Sequence, residues 1–215
     1  MIIENRVLFI SIVKTAGTSI RKEWIKYHKG WSKHTHVLNK NSNNKKCKAR
    51  GFQIDTKKLY LKKFYIFTVV RNPYDRIVSN YLFLKRGGGG SKNDLALNLY
   101  QKLDIPLNSF HDFINDIKNK WDICKQDGSY KPMIEWIRTD EEKIVTDKIV
   151  KFENLQEGMN EVFDKTGLTY IDFKKTHEYK SEGRKPWIDY YNRELLDIVN
   201  NLYKEDFEIF GYQMI

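Results

Sequence analysis

Two short apolar segments constrain the fold of this chain more than any other feature of its sequence. Residues 7–13 and 64–70 are almost entirely apolar and rich in β-branched side chains. Segments of this length and composition are typical of parallel strands that are buried on both faces of a sheet. Each is followed by a polar loop and then by a segment with the apolar periodicity of a helix, an order that indicates a parallel sheet flanked by helices.

The rest of the sequence extends the same pattern. A third strand is predicted at residues 148–152. Helices are predicted at residues 18–27, 73–85, 155–165 and 193–204. Local boundary signals, a proline in a first turn, a glycine after a last turn and an asparagine at an N-cap, occur at Pro73, Gly167 and Asn192. The expected fold class is therefore α/β, with a central parallel β-sheet in a single domain over residues 1–215.

The composition limits the class of protein and of ligand. An aromatic content of 14% is too high for a disordered chain. The 38 Lys and Arg residues against 28 Asp and Glu give a net charge of +10, which favours nucleotides, acidic glycans, nucleic acids or anionic lipids without choosing among them. Cys47 and Cys124 fit no metal-binding spacing and are expected to be reduced. The apolar run near Met1 is too short to span a membrane or to act as a signal peptide, so a cytoplasmic location is expected.

Residues 87–91 differ in composition from the rest of the chain. They form the run Gly-Gly-Gly-Gly-Ser, which holds four of the 12 glycines and is typical of a flexible linker. We expect an engineered replacement of a loop here, with a natural loop of this composition as the alternative, and we base no functional inference on the segment.

The loop after the first predicted strand has the properties of an anion site. Residues 14–19 are Lys-Thr-Ala-Gly-Thr-Ser, and the following helix offers N–H groups and a partial positive charge at its N-terminus. Lys14 adds a cation, while Thr18 and Ser19 add hydroxyl donors. Because Lys14 precedes the single glycine of the loop, Gly17, this is not a Walker A loop, in which lysine follows the glycines. The alternative is an ordinary turn capped by threonine or serine.

Arg71 stands directly after the second predicted strand. Parallel sheets bind ligands at the carboxyl ends of their strands, so Arg71 is expected to point into such a crevice. Ser79 lies two turns into the next helix, on the same side as Asp75 and Arg76. Arg71 and Ser79 suit one phosphate group, because a guanidinium offers a fork of donors. The alternative is a structural salt bridge from Asp75 to Arg71 or Arg76.

Together these two segments, VLFISIVKTAGTSI and FTVVRNPYDRIVSNYLFLK, resemble the two signature elements of sulfotransferases that use 3′-phosphoadenosine 5′-phosphosulfate (PAPS). The resemblance is to the carbohydrate branch, which includes heparan sulfate 2-O-sulfotransferase, and it covers most of the chain in outline. It implies the P-loop-like sulfotransferase fold, PAPS as co-substrate, adenosine 3′,5′-bisphosphate (PAP) as product and no metal ion. It assigns the 5′-phosphosulfate to Lys14, Thr15, Ala16, Gly17, Thr18 and Ser19. It assigns the 3′-phosphate to Arg71 and Ser79.

Sulfuryl transfer to a hydroxyl requires that the acceptor proton is removed and that charge on the leaving phosphate is neutralised. Histidine suits the first task near neutral pH, and Lys14 suits the second. Residues 34–36 are His-Thr-His, and by resemblance the catalytic base is His36, with His34 as the second candidate. Ordinary loop histidines are the alternative. A metal site is disfavoured because no third ligand stands nearby in the sequence.

A polar loop near the C-terminus contains further candidates. Residues 180–185 are Lys-Ser-Glu-Gly-Arg-Lys, and relatives use a basic loop in this region to close over the nucleotide. By resemblance, Lys180, Ser181 and Arg184 take this role, with a solvated charge run as the alternative. The aromatic residues that follow either stack on adenine or, as the favoured reading, pack in the core: Trp187, Tyr190 and Tyr191.

The expected activity is therefore transfer of a sulfuryl group from PAPS to an acceptor hydroxyl. The positive charge favours an anionic glycan as acceptor, while a tyrosyl peptide or a small alcohol also fits. No nucleic-acid partner and no membrane span are expected, and the sequence does not indicate an oligomeric state. Two other functions stay open: a P-loop-type nucleotide kinase, for which the expected loop is missing, and a basic protein that binds glycan or nucleic acid without catalysis, which leaves two anion loops unexplained.

Overall fold

The structure is a computed structural model in which the chain forms two compact units. It describes residues 1–4, 6–27, 64–88, 101, 103–139, 141–173 and 184–215. The first unit, which we call the sheet unit, comprises the described residues of Met1–Lys45, Phe52–Arg71 and Glu135–Lys180. The second, the helical unit, comprises those of Asn72–Ile134 and Ser181–Ile215. The single domain over residues 1–215 stays a prediction, as does the engineered origin of residues 87–91, of which 89–91 lie outside the described residues.

The sheet unit contains a four-stranded sheet in the order β1-β2-β3-β4. Its strands are β1 (Ile2–Ile3), β2 (Val7–Ile10), β3 (Tyr65–Val70) and β4 (Lys148–Lys151). The strands β2, β3 and β4 are parallel, whereas β1 runs antiparallel to β2. The predicted parallel sheet is therefore confirmed. The antiparallel strand β1 was not predicted, because two residues are too few to give a recognisable strand pattern.

The helices agree with most of the predicted boundaries. The α-helices of the described residues are α1 (Gly17–Tyr27), α2 (Pro73–Lys85), α3 (Phe110–Asn119), α4 (Trp121–Cys124), α5 (Leu155–Thr166), α6 (Arg193–Leu202) and α7 (Lys204–Phe210). Short 3₁₀ helices lie at Ile134–Trp136, Phe152–Asn154 and Trp187–Tyr190. The predicted signals act as expected, because Gly167 ends α5 with a φ of 64° and the Asn192 side chain accepts the N–H of Leu195.

Two helical regions differ from the prediction. The helix predicted at residues 193–204 is interrupted at Tyr203, where φ is −121° and the phenol donates a hydrogen bond to the carbonyl of Tyr130 (2.7 Å). The helix α3 lies where no helix is predicted, although Ser109 caps it and its buried apolar residues recur at helical spacing. The signal for α3 was thus present in the sequence, whereas the residue at the break, Tyr203, has its hydrogen-bond partner 73 residues away.

The first strand is shorter than the predicted span of residues 7–13. Its ladder with β3 ends at the pair Ile10 and Thr68, where the Thr68 hydroxyl also donates to the Ile10 carbonyl (2.8 Å). Beyond this point the chain turns away, because Lys14 and Ala16 adopt φ values of 69° and 66° that no strand contains. Residues 11–13 therefore belong to the loop.

Aromatic rings connect α1 and α5 to the sheet. Phe9 of β2 and Phe67 of β3 are register partners, and their stacked rings lie 4.8 Å apart. Trp24 of α1 packs edge-on against Phe67 (5.4 Å) and against Phe163 of α5 (6.3 Å). Alternate strand residues on the opposite face, such as Ile66, are also buried. Both faces of the sheet are therefore buried, as the continuous apolar strands predict.

Buried charged groups anchor a loop segment of the helical unit. The Arg76 side chain is 1% exposed and donates from Nη1 to the carbonyl of Lys131 (2.9 Å). The buried Asp206 accepts the backbone N–H groups of Met133 (2.8 Å) and Ile134 (2.9 Å). Burial lowers the pKa of Arg76, while the nearby Asp206 charge acts to raise it. These bonds satisfy charges that would be costly to bury alone, so they fix residues 131–134 after α4.

Three further features concern membrane spans, metal ligands and cysteines. Among the described helices, none combines the length and the apolar character needed to cross a bilayer. The described residues also contain no group of three or more His, Cys, Asp or Glu side chains suited to a metal ion. Cys124 is a buried free thiol, and Cys47 lies outside the described residues. The cytoplasmic location and the independence of metal ions stay predictions.

The substitution Gly158→Ala is expected to destabilise the sheet unit. A Cβ at Gly158 of α5 would lie 2.6 Å from Cγ1 of Val150 on β4, so the helix would have to shift. Overpacking of this kind costs about 1–3 kcal/mol, which urea unfolding would measure. The matched control is the double variant with Val150→Ala, which makes room for the added methyl. Its loss should be smaller than the sum of the single losses, and additive losses would contradict the contact.

Candidate active site

The loop between β2 and α1 is turned tightly by two residues in the left-handed region. Lys14 (φ 69°) and Ala16 (φ 66°) both have positive φ, which is unfavourable for residues other than glycine. Thr15 between them is fully buried, and its hydroxyl donates to the carbonyl of Ile12 (3.0 Å). Since that hydroxyl is occupied within the loop, Thr15 has its backbone N–H rather than its side chain to offer to an anion.

The helix α1 begins directly at this loop. Gly17 is its first residue, and its first turn contains no acidic side chain. The N–H groups of a first turn have no partner within the helix and attract anions. A left-handed residue next to a helical one, as in Ala16 and Gly17, also directs successive N–H groups toward one point. Thr18 is exposed and Ser19 is half-buried, so the arrangement is suited to a phosphate or sulfate group.

Arg71 reaches this loop from the end of the neighbouring strand β3. Its Nη1 donates a hydrogen bond to the carbonyl of Lys14 (3.1 Å). Its guanidinium carbon lies 4.1 Å from the ring centroid of Phe152, a cation–π contact, and the residue is 7% exposed. The structure thus places the Arg71 guanidinium against the backbone of Lys14, the first residue of the loop that the sequence assigns to an anion.

The other predicted residues with a described structure lie in the helical unit. Ser79 is half-buried on α2, one turn after Asp75 and on the same side of the helix. Asp75 forms an ion pair with Arg184, and the two side chains are only 16% and 20% exposed. Arg184 is therefore held against the helix that carries Ser79. Asn72 caps this helix by accepting the N–H of Tyr74 (3.0 Å).

The aromatic residues after Arg184 pack in the core of the helical unit. Trp187 stacks on the buried Tyr74 with ring centroids 5.0 Å apart and an interplanar angle of 9°. Tyr191 donates from its phenol to the carbonyl of Tyr74 (2.9 Å), and burial raises its pKa well above the ordinary value, so the phenol keeps its proton. Tyr190 packs edge-on against Phe110 (5.6 Å). These contacts support core packing rather than adenine stacking.

The relationship of the whole chain to known proteins supports one of the candidate activities over the others. A model described as the sulfotransferase family matches residues 2–213. The chain belongs to the sulfotransferase family. Among curated proteins and among solved structures, none matches it significantly. The family prediction drawn from the two loop segments is confirmed, and the match supports sulfotransfer as the activity over that of a nucleotide kinase or a binding protein without catalysis.

A further cation of this sulfotransferase lies at the loop and is missed by the sequence analysis. Arg21 of α1 donates from Nη1 to the hydroxyl of Ser11 (3.1 Å) and from Nη2 to the hydroxyl of Thr18 (3.3 Å). Arg21 stands three residues after Thr18, so helical periodicity alone could have predicted the contact between these two side chains. Ser11 carried no such signal, because the sequence placed it inside the first strand.

Four predicted site residues of the sulfotransferase lie outside the described residues. They are His34, His36, Lys180 and Ser181. The catalytic role of the histidines and the nucleotide-closing role of the two loop residues stay predictions. The other predicted donor-binding residues are described: the loop at residues 14–19 and Arg71 in the sheet unit, and Ser79 and Arg184 in the helical unit.

The ion pair between Asp75 and Arg184 is expected to stabilise the sulfotransferase. Removal of either partner leaves a largely buried charge without its counter-charge, so Asp75→Ala and Arg184→Ala should each lower the free energy of unfolding by about 1–3 kcal/mol. Unfolding in urea of both single variants and of the double variant forms the cycle that measures the interaction. The double variant should lose less than the sum of the single variants. Strictly additive losses would show that the pair contributes nothing to stability.

Proposed function

We propose that this sulfotransferase moves a sulfuryl group from PAPS to a hydroxyl of an acceptor, and that the acceptor is a carbohydrate. The observation that carries the proposal is the position of Arg71, whose guanidinium contacts the carbonyl of Lys14 at the start of the loop that we assign to an anion. The match to the sulfotransferase family supports an anionic donor at this loop, which contains Lys14 and contacts the buried Arg71. A plain turn between a strand and a helix does not require a buried arginine at its carbonyl.

The donor has one anionic group for each of the two sequence elements. The 5′-phosphosulfate is assigned to residues 14–19, supported by the left-handed residues and by the N-terminus of α1, whose first turn has no acidic side chain. The 3′-phosphate is assigned to Arg71 and Ser79, because a fork of donors and a hydroxyl match phosphate oxygens. Lys180, Ser181 and Arg184 are assigned to closure over the nucleotide. The ion pair of Arg184 with Asp75 supports an anchoring role for this residue at the end of that loop.

The proposed reaction is an in-line displacement at sulfur. The acceptor oxygen forms a bond to sulfur while the bond between sulfur and the bridging phosphate oxygen breaks, and PAP departs with the electron pair. His36, or His34 in its place, accepts the acceptor proton. Lys14 neutralises the charge that develops on the phosphate oxygen. No step of this reaction requires a metal ion.

The acceptor is proposed from charge. A net charge of +10 favours an anionic partner, and among anionic molecules with hydroxyl groups an acidic glycan fits both requirements. A screen of acidic glycans, tyrosyl peptides and small alcohols with labelled PAPS would identify the acceptor. Transfer to a peptide or a small alcohol, with none to glycans, would contradict the carbohydrate assignment while leaving sulfotransfer intact.

Donor binding is tested by thermal stability with PAP and, separately, with ATP and magnesium. PAP alone should raise the melting temperature, because it binds only the folded chain. Arg71→Ala should weaken PAP binding by about tenfold to a hundredfold, because it removes charge-assisted hydrogen bonds to the phosphate. Lys14→Ala should mainly lower kcat, by about 10²-fold to 10³-fold, because its interaction strengthens in the transition state.

The control for both variants is Lys22→Ala, which removes an exposed charge of α1 outside the proposed site. It should behave like the original chain. A stabilisation by ATP with magnesium and none by PAP would favour a nucleotide kinase. No stabilisation by either ligand at millimolar concentration would favour a binding protein without catalysis.

The assignment of the base is tested by His36→Ala. Loss of a general base lowers turnover by about 10²-fold to 10⁴-fold, whereas PAP binding should be unchanged, since the base touches the acceptor. His34→Ala is the matched control and should have a much smaller effect. The reverse order of the two effects would assign the base to His34, and full turnover in both variants would place the base elsewhere.

A further inference from the structure

One side chain connects both ends of the loop at residues 14–19. The Arg21 guanidinium donates to Ser11, which directly follows the last residue of β2, and to Thr18, in the first turn of α1. The two donor-to-acceptor distances are 3.1 Å and 3.3 Å. The bond to Thr18 is an ordinary contact between neighbouring helical turns. The bond to Ser11 crosses ten residues of sequence and ties the helix to the end of the strand.

These hydrogen bonds determine how the two hydroxyls are used. A hydroxyl group has one proton to donate and two lone pairs to accept with, and an arginine side chain can only donate. When Ser11 and Thr18 accept from Arg21, each uses a lone pair and retains its proton for another partner. Two hydroxyls at the N-terminus of α1 are thereby kept as donors. A phosphate or sulfate oxygen offers only acceptors, so it matches both.

The position of the Ser11 hydroxyl depends on Gly17. A Cβ built on Gly17 would lie 2.2 Å from the Ser11 Oγ, far closer than any non-bonded contact permits. The missing side chain of Gly17 therefore leaves the space that the hydroxyl occupies, above the first residue of α1. Three residues separated in sequence, Ser11, Gly17 and Arg21, thus form one local arrangement at the end of the helix where an anion would bind.

We propose that Ser11 is a further ligand of the 5′-phosphosulfate end of the donor and that Arg21 is a positioning residue, which holds the Ser11 and Thr18 hydroxyls as donors. The inference rests on the proposed function, because it names groups of the same donor site. Arg21 also adds positive charge beside the anion. That contribution is shared with any nearby cation, whereas the orientation of two hydroxyls requires the fork of the guanidinium.

The test measures the affinity for PAP by calorimetry and the kcat and KM for PAPS in a set of four variants. Arg21→Ala should weaken PAP binding about tenfold, since two oriented donors are lost at an exposed site. Arg21→Lys should weaken it nearly as much, because lysine keeps the charge but cannot span both hydroxyls. Ser11→Ala should weaken binding by a smaller factor, about threefold to tenfold. Lys22→Ala is the charge-matched control and should bind like the original chain.

The double variant of Arg21→Ala with Ser11→Ala separates positioning from charge. If Arg21 acts through Ser11, its replacement should weaken PAP binding less in the Ser11→Ala background than in the original chain. Equal factors in both backgrounds would overturn the positioning role. A purely structural role of Arg21 would lower the melting temperature without such coupling, which would overturn it as well.

The outcomes distinguish this inference from the proposed function. If the original chain binds PAP and transfers sulfate, while Arg21→Ala and Ser11→Ala behave like Lys22→Ala, the inference is wrong and the function stands. If the original chain neither binds PAP nor transfers sulfate, the proposed function fails and takes the inference with it. If Arg21→Ala does not fold, Ser11→Ala and Arg21→Lys still decide the matter by the same binding measurement.

Discussion

The hydrogen bond from Arg71 to the carbonyl of Lys14 is the contact on which the proposed donor site depends. It joins the end of β3 to the loop after β2. Because β2 and β3 are parallel, Lys14 and Arg71 follow the carboxyl ends of neighbouring strands, at the same edge of the sheet. Burial against Phe152 holds the Arg71 guanidinium in one position. An arginine on the surface would instead sample many positions. The proposed donor site is therefore built around a cation whose position is fixed.

The loop that Arg71 supports is held in an unfavourable backbone conformation. Two non-glycine residues with positive φ, Lys14 and Ala16, lie on either side of the buried Thr15. Such residues persist only where surrounding contacts determine them, and they cluster at functional sites. Here those contacts are the bond from Thr15 to Ile12 and the bond from Arg71. The loop is therefore shaped before any ligand arrives, which lowers the entropy that binding must overcome.

In the helical unit, contacts from distant residues also hold the first turn of α2 in place. Tyr74 is fully buried there, with its ring against Trp187 and its phenol bonded to Asn200 of α6. Asp75, the next residue, pairs with Arg184. Contacts from distant parts of the chain thus fix the helix that carries Ser79. A hydroxyl presented from a fixed helix loses little freedom when it binds a phosphate oxygen.

The sequence by itself determined the α/β class, the three parallel strands, most helix boundaries and the family. Burial on both faces demands continuous apolar strands, and helix ends demand particular residues such as Asn192, so these features are written locally. The tertiary structure alone decided which polar groups meet. Arg184 pairs with Asp75 across 109 residues, and Arg21 reaches Ser11 because the strand ends at Ile10. No local pattern specifies such partners, since a charged side chain is compatible with many neighbours until the backbone selects one.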